Sequence, residues 1–194
     1  MAPGHGRDRR ELLRCADLAM YAAKGEGRGR FAVYADALDE RTQERVRVLS
    51  ELRQGIERGE LRAHYQPRVQ SLDGRVRSAE ALVRWQHPER GLLMPGSFIG
   101  WAEESSLIED LGYWMLDEVC RQMAQWRSEG MPLERVSVNV SPRQLVSGQL
   151  PQRVRAALGA HGVPPEALEL EVTESLLVGE ARDACAQLAE LRAL

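Results

Sequence analysis

The sequence predicts an α/β fold, a largely parallel sheet covered by helices. Two observations predict it. From residue 61 onward, strand patterns alternate with helical ones across long crossovers, which is how parallel strands are joined. The strand patterns themselves alternate apolar and polar residues, so each strand has one face for the helices to cover and one polar face. A doubly wound sheet and a (β/α) barrel both satisfy this pattern. The totals agree with a soluble globular protein. Of 194 residues, 43% are hydrophobic and 28% charged. The net charge of −3 gives no general attraction to nucleic acid or membrane surfaces. No apolar run approaches the roughly 18 residues of a membrane span, and "MAPGHGRDRRELL" lacks the apolar core of a secretory signal. Cys15, Cys120 and Cys185 lack metal-type spacing and read as ordinary thiols of a reducing, cytoplasmic compartment.

Taken in order, residues 9–24 place Leu12, Leu13, Ala16, Ala19, Met20 and Ala23 at helical steps. "GEGRGR" stops that helix and "FAVY" reads as a short strand, a pair too small to build a core alone. Residues 36–60 are highly charged, with Val46, Leu49, Leu52 and Ile56 at helical intervals and Gly59 as a stop, which predicts a connector helix. "LRAHYQPRVQ" and "RVRSAEALVRW" are two strands joined by "SLDG", a hairpin signal. Leu107, Leu111, Met115, Val119 and Met123 recur every four residues and predict a long helix. "RVSVNVS" is a strand, "PRQLVSGQLPQRVRAALGAHG" is helical with a break, "LELEVTES" is a strand, and "GEARDACAQLAELRAL" opens another helix. The last pattern has no capping signal, which suggests truncation. The strands near 61–69, 135–141 and 168–174 are expected to be parallel, with 76–85 antiparallel to the first because their connection is a hairpin.

The polar faces carry the candidate chemistry. Glu80, Leu82 and Arg84 oppose Ala79, Ala81, Val83 and Trp85; Ser137, Asn139 and Ser141 oppose Val138 and Val140; Glu169, Glu171 and Thr173 oppose Leu168, Leu170 and Val172; His64 and Gln66 share a face. Covering helices need the apolar set, so the polar set points the other way, into the barrel if the sheet closes. Glu80, Asn139 and Glu171 are expected near the C-terminal ends of their strands, where parallel α/β folds build sites. Two carboxylates and a carboxamide are hard oxygen ligands suited to magnesium or manganese, and Arg84 and Gln66 could hold an anionic substrate. A single strand carboxylate is more often solvated or paired, and Glu80 could simply pair with Arg84.

"EALVRW" with Glu80, "NVS" with Asn139 and "EVTES" with Glu171 and Glu174, together with "HYQPRV" and "PGSFIGWAEESSLI", resemble the EAL-domain family of cyclic di-GMP phosphodiesterases over about residues 45–194. Gly100 stands where that family usually has proline. The resemblance implies a (β/α)8 TIM-like barrel, of which this chain would hold about the first half. It implies hydrolysis of cyclic di-GMP to linear pGpG with two Mg2+ or Mn2+ ions. Glu80, Asn139 and Glu171 resemble the ligands of one metal, with Glu80 also catalytic. Gln66 and Arg84 resemble substrate contacts, and Glu174 resembles a residue supporting a loop beside the site. "LLRCADLAMYAAKGEGRGRFAVY" is similar to the tail of a GGDEF diguanylate cyclase domain. There Lys24 and Arg28 match phosphate contacts, although Gly29 replaces the usual asparagine and the GGDEF signature is absent. The implied domains are a cyclase remnant at 1–35, a connector helix at 36–58 and the first half of an EAL domain at 59–194.

The family's next strand normally carries an Asp-Asp pair bridging the two metals, and no adjacent aspartates follow Glu171. Two-metal displacement needs ligands for both ions. The expectation is therefore a fragment, inactive by itself, of a phosphodiesterase, with a catalytically degenerate cyclic di-GMP receptor as the alternative. Homodimerisation through the EAL part is the expected self-association.

Overall fold

The computed structural model describes residues 8–25, 31, 33–71, 73–131, 133–172 and 181–194, and the chain divides into two compact units, 1–51 and 52–194. In the first unit lie α1 (Arg9–Gly25) and the beginning of α2 (Asp36–Glu57). Among the described side chains of α1, Cys15, Ala19 and Ala23, spaced four apart, are buried, whereas Leu13 and Met20 are exposed. The strand expected at "FAVY" is not formed at its described residues, Phe31, Val33 and Tyr34. A lone extended segment leaves its backbone groups unpaired unless a neighbouring strand accepts them.

The second unit is built on one sheet. Strand β1 (Leu61–Val69) and β2 (Val76–His87) form the expected hairpin, with Gly74 at φ 68° in the turn. Next come β3 (Gly91–Leu93), a short helix α3 (Ile99–Glu103), the long α4 (Leu107–Ser128) and β4 (Arg135–Val140). The rest comprises α5 (Pro142–Val146), α6 (Leu150–His161), β5 (Leu168–Val172) and α7 (Ala181–Arg192). The break between α5 and α6 coincides with Gly148 at φ 73°. The main path of the sheet is β1-β2-β4-β5, and β3 pairs with the end of β2.

Strand orientation corrects one expectation. β2 is antiparallel to β1 but parallel to β4, and β4 is parallel to β5. The reversed strand is therefore β1, not β2. A tight hairpin fixes only that its two strands oppose each other. Which of them shares the direction of the later strands depends on which one the α4 crossover joins to β4, and that strand is β2.

The face assignment holds. Ala79, Ala81, Val83 and Trp85 of β2 and Val136, Val138 and Val140 of β4 are buried, while Glu80, Leu82 and Arg84 are only half-buried. α4 supplies the covering surface with Leu107, Leu111, Met115, Val119 and Met123, all buried. Tyr65 of β1 packs edge-on against Trp126 of α4 with ring centroids 4.6 Å apart. Trp85 is the keystone of the helix-covered side. It is fully buried, meets His87 and Phe98 edge-on at 4.9 and 5.7 Å, and donates Nε1–H to Glu60 at 3.0 Å. Burying an indole of this size contributes several kcal/mol only because its one polar hydrogen finds a partner.

Candidate functional site

The polar face brings residues from four strands to one place. Register puts Gln66 of β1 opposite Glu80 of β2, Glu80 opposite Ser137 of β4, and Asn139 opposite Glu171 of β5. Asn139 and Glu171 lie near the C-terminal ends of short strands. Glu80 does not: it is the fifth residue of the twelve-residue β2, one pleat below the level of Asn139. Glu80 lies away from the expected strand end because β2 continues past the β4 pairing to pair with β3, an extension that only the Trp85–Leu93 to His87–Gly91 ladder reveals. The offset is closed by side chains. Asn139 Nδ2 donates to Glu80 Oε1 at 2.9 Å.

The group that ties the cluster together is one the sequence reasoning gave no role. Arg68 Nη2 donates to Glu80 Oε2 at 3.1 Å and also to Glu171 Oε1, and its Nη1 lies 3.9 Å from Glu169 Oε1. Strands β1 and β5 are three positions apart in the sheet, roughly 14 Å on a flat surface. A side-chain contact between them requires the sheet to be concave on this face, as in a barrel interior. The ladder shifts between Arg68 and Val69, and such irregularities commonly re-aim a side chain. A usable signal was present in the sequence, since Arg68 follows His64 and Gln66 at the same alternating positions of β1.

Electrostatics follow the contacts. Hydrogen bonds to Glu171 and then Glu80 raise Arg68 further above its ordinary value, so it is always charged. Burial pushes the Glu171 carboxyl up, but the Ser137 hydroxyl and the Arg68 guanidinium outweigh it and hold the group below the usual carboxylate range. Ser137 Oγ is buried and falls outside hydrogen-bond geometry, yet stands near enough to favour the charged carboxylate.

The other sequence-derived residues are placed less centrally. Gln66 is exposed on the same face, directly across from Glu80. Arg84 shares the face but turns its Nη1 to the carbonyl of Val83 at 2.8 Å. Glu174, Arg28 and the Lys24 side chain lie outside the described residues. Beside the cluster opens a cavity of about 620 Å3 lined by Leu82, Pro95, Ile99, Met115, Asn139 and Arg143 among others. Its walls are mainly apolar, and Asn139 connects it to the carboxylates.

Chemically, the cluster presents two carboxylates bonded to one cationic nitrogen, with a carboxamide on the other oxygen of Glu80. Among the described residues no three His, Cys, Asp or Glu side chains form a metal-type group. The donors do fit a divalent cation. All are hard oxygens, and a guanidinium already stands between the two carboxylates as a positive charge would. For Asn139 to contribute oxygen, its amide turns over, a rotation that costs only the bond to Glu80.

Comparison with known proteins adds an independent line. Residues 49–194 match the family model described as EAL domain. The chain is 41% identical over 192 residues to the bifunctional diguanylate cyclase/cyclic di-GMP phosphodiesterase MucR of Pseudomonas aeruginosa, covering 99% of this chain and 28% of that protein. It is 43% identical over 178 residues to the cyclic di-GMP phosphodiesterase PdeR of Escherichia coli, covering 92% of this chain and 27% of that protein. The chain thus spans about a quarter of the length of these curated relatives. Among solved structures, the PaMucR phosphodiesterase in complex with c-di-GMP superposes with a TM-score of 0.71 at 42% identity, over 76% of this chain and 60% of that one. The EAL domain of Xanthomonas citri FimX in complex with c-diGMP superposes with a TM-score of 0.70 at 25% identity, over 82% of this chain and 60% of that one.

Proposed function

The chain belongs to the EAL domain family, and from that premise we propose that its polar strand face is one half of a divalent-metal site for hydrolysis of cyclic di-GMP to linear pGpG. The observation that carries the proposal is the linkage of Glu80, Asn139 and Glu171, from three separate strands: Arg68 bonds both carboxylates and Asn139 bonds the other oxygen of Glu80. EAL phosphodiesterases use divalent metal ions; magnesium or manganese suits this all-oxygen donor set. When bound, such an ion polarises a phosphodiester and lowers the pKa of an attacking water.

The chain's own residues supply the rest. Glu80 and Glu171 bring the negative charge that holds the cation, and Asn139, its amide turned to present oxygen, would add a neutral donor. Gln66, directly opposite Glu80, and Arg84, once turned from the Val83 carbonyl, supply polar and cationic contacts for the anionic substrate. Glu174 retains the proposed supporting role beside the site. The apolar cavity beside Asn139 offers a surface for a guanine base. Residues 1–35 read as the tail of a diguanylate cyclase domain, supported by alignment of 99% of the chain with a protein named for both activities. Residues 36–58 would be the connector and 59–194 EAL sequence. Among the described residues no helix is long and apolar enough to cross a membrane; the cytoplasmic location is part of this proposal. Pairing of two copies through the EAL part is the self-association this reading includes.

The described residues gather donors for one ion, and displacement at a phosphodiester by two ions needs donors for both. Residues 1–194 are therefore expected to bind Mn2+ and cyclic di-GMP without turnover, and a longer protein carrying the same residues to release pGpG. Chromatographic assay of pGpG, with and without Glu80→Ala, tests this. Turnover in the longer protein that survives Glu80→Ala would reject the site. Binding of intact cyclic di-GMP with no product in any form would assign the chain to a receptor instead.

A further inference from the structure

We propose that Arg68 is the resident cation of this site: it holds the carboxylates together in the metal-free protein and must withdraw when a divalent ion arrives, so that protein and metal compete for the same position. The proposal rests on the metal-site reading above and deepens it. Its basis is geometric. One nitrogen, Arg68 Nη2, bonds both Glu80 Oε2 and Glu171 Oε1, and the second nitrogen faces Glu169. These are oxygens that a cation held by Glu80 and Glu171 would use. Bound to the same oxygens, a guanidinium and a divalent ion would stand at contact distance, where like charges repel, so occupancy by one opposes the other.

The arrangement differs from an ordinary surface ion pair. Arg68 reaches across from β1 to β5, contacting a strand three positions away. It sits at the ladder irregularity between Arg68 and Val69, beside the hairpin turn. Carboxylates gathered without any cation would repel one another, and Arg68 removes that repulsion while keeping their spacing. The consequence is a site that stays assembled when empty of metal but binds metal more weakly than its donors alone would.

The test is Mn2+ binding, read from the loss of the free-ion electron paramagnetic resonance signal, with purified wild-type protein and the variants Arg68→Met, Arg68→Lys and Glu80→Gln. Arg68→Met should bind Mn2+ about tenfold more tightly, the size of effect expected when a like charge in contact is removed. Arg68→Lys should stay near wild type, and Glu80→Gln should lose most binding. Equal or weaker binding by Arg68→Met, with Glu80→Gln still deficient, overturns the competition while leaving the metal site standing. Unchanged binding by Glu80→Gln overturns the metal site and this inference with it. A measurement on the unaltered chain covers the case in which Arg68→Met does not fold. The Arg68 Nη–H resonances should be protected from exchange without metal and lose that protection on titration with diamagnetic Mg2+. Protection that persists at saturating Mg2+ overturns the proposal.

Discussion

Replacing Gly112 with alanine sets helix propensity against packing, and the structure decides the sign. Gly112 lies within α4, where glycine to alanine by propensity alone stabilises by about 1 kcal/mol. A Cβ there would stand 2.5 Å from Gln144 Cδ and 2.6 Å from Gln144 Oε1, well inside contact distance. A flexible side chain could move aside if it were free, but Gln144 is buried with 2% exposure. Its Oε1 accepts from the Ser141 backbone N–H at 3.0 Å and the Ser141 hydroxyl at 3.1 Å, the reciprocal half of the capping box that starts α5. Displacing it loses a cap worth about 1 kcal/mol and adds overpacking of roughly 1–3 kcal/mol. The net is destabilisation of about 1–3 kcal/mol. Urea unfolding followed by circular dichroism measures it as a lowered midpoint at unchanged slope. Ser141 follows Asn139 by two residues, so a shift of this turn also disturbs the candidate ligand and should weaken Mn2+ binding. The double variant Gly112→Ala/Gln144→Ala, freed of the clash, should lose less than the sum of the two single changes. A Gly112→Ala protein as stable as wild type, or more so, would refute the reasoning, because it would mean that Gln144 is not held.

Glu80→Ala and Glu171→Ala should each reduce Mn2+ affinity by at least tenfold in titration calorimetry, since each removes a charged donor. Changing Asn139 to alanine removes a neutral donor and should cost less than either. Trp85→Phe removes the hydrogen bond to Glu60 and part of a fully buried ring, so thermal and urea unfolding should report a loss of about 1–3 kcal/mol. Burial, reinforced by Asp117, pushes the Cys120 thiol up to about 11. Its folded value exceeds its unfolded one, so its contribution to stability is complete below the unfolded thiol's value and is lost as pH rises toward about 11. Melting temperatures across that window should fall more steeply for wild type than for Cys120→Ala.

Most of the secondary structure and the identity of the candidate donors were legible in the sequence, for reasons tied to local periodicity. The four-residue recurrence from Leu107 to Met123 fixes the buried face of α4 whatever it packs against, and it is buried throughout. Period-two alternation places Glu80, Asn139 and Glu171 opposite the apolar residues of their strands, because a pleated strand has only two faces. What required tertiary structure was everything set by partners distant in sequence. Whether "FAVY" becomes a strand depends on a neighbour to pair with, and the direction of β1 relative to β4 depends on which hairpin strand the crossover continues. The level of Glu80 within β2 depends on the pairing with β3, 91–93. Above all, the position of Arg68 was decided by curvature. Alternation puts it on the same face as Gln66, but only the concavity of the sheet brings a guanidinium from β1 onto Glu171 of β5, a pair separated by 103 residues. Sequence determines which side chains face inward; the curl of the sheet determines which of them meet.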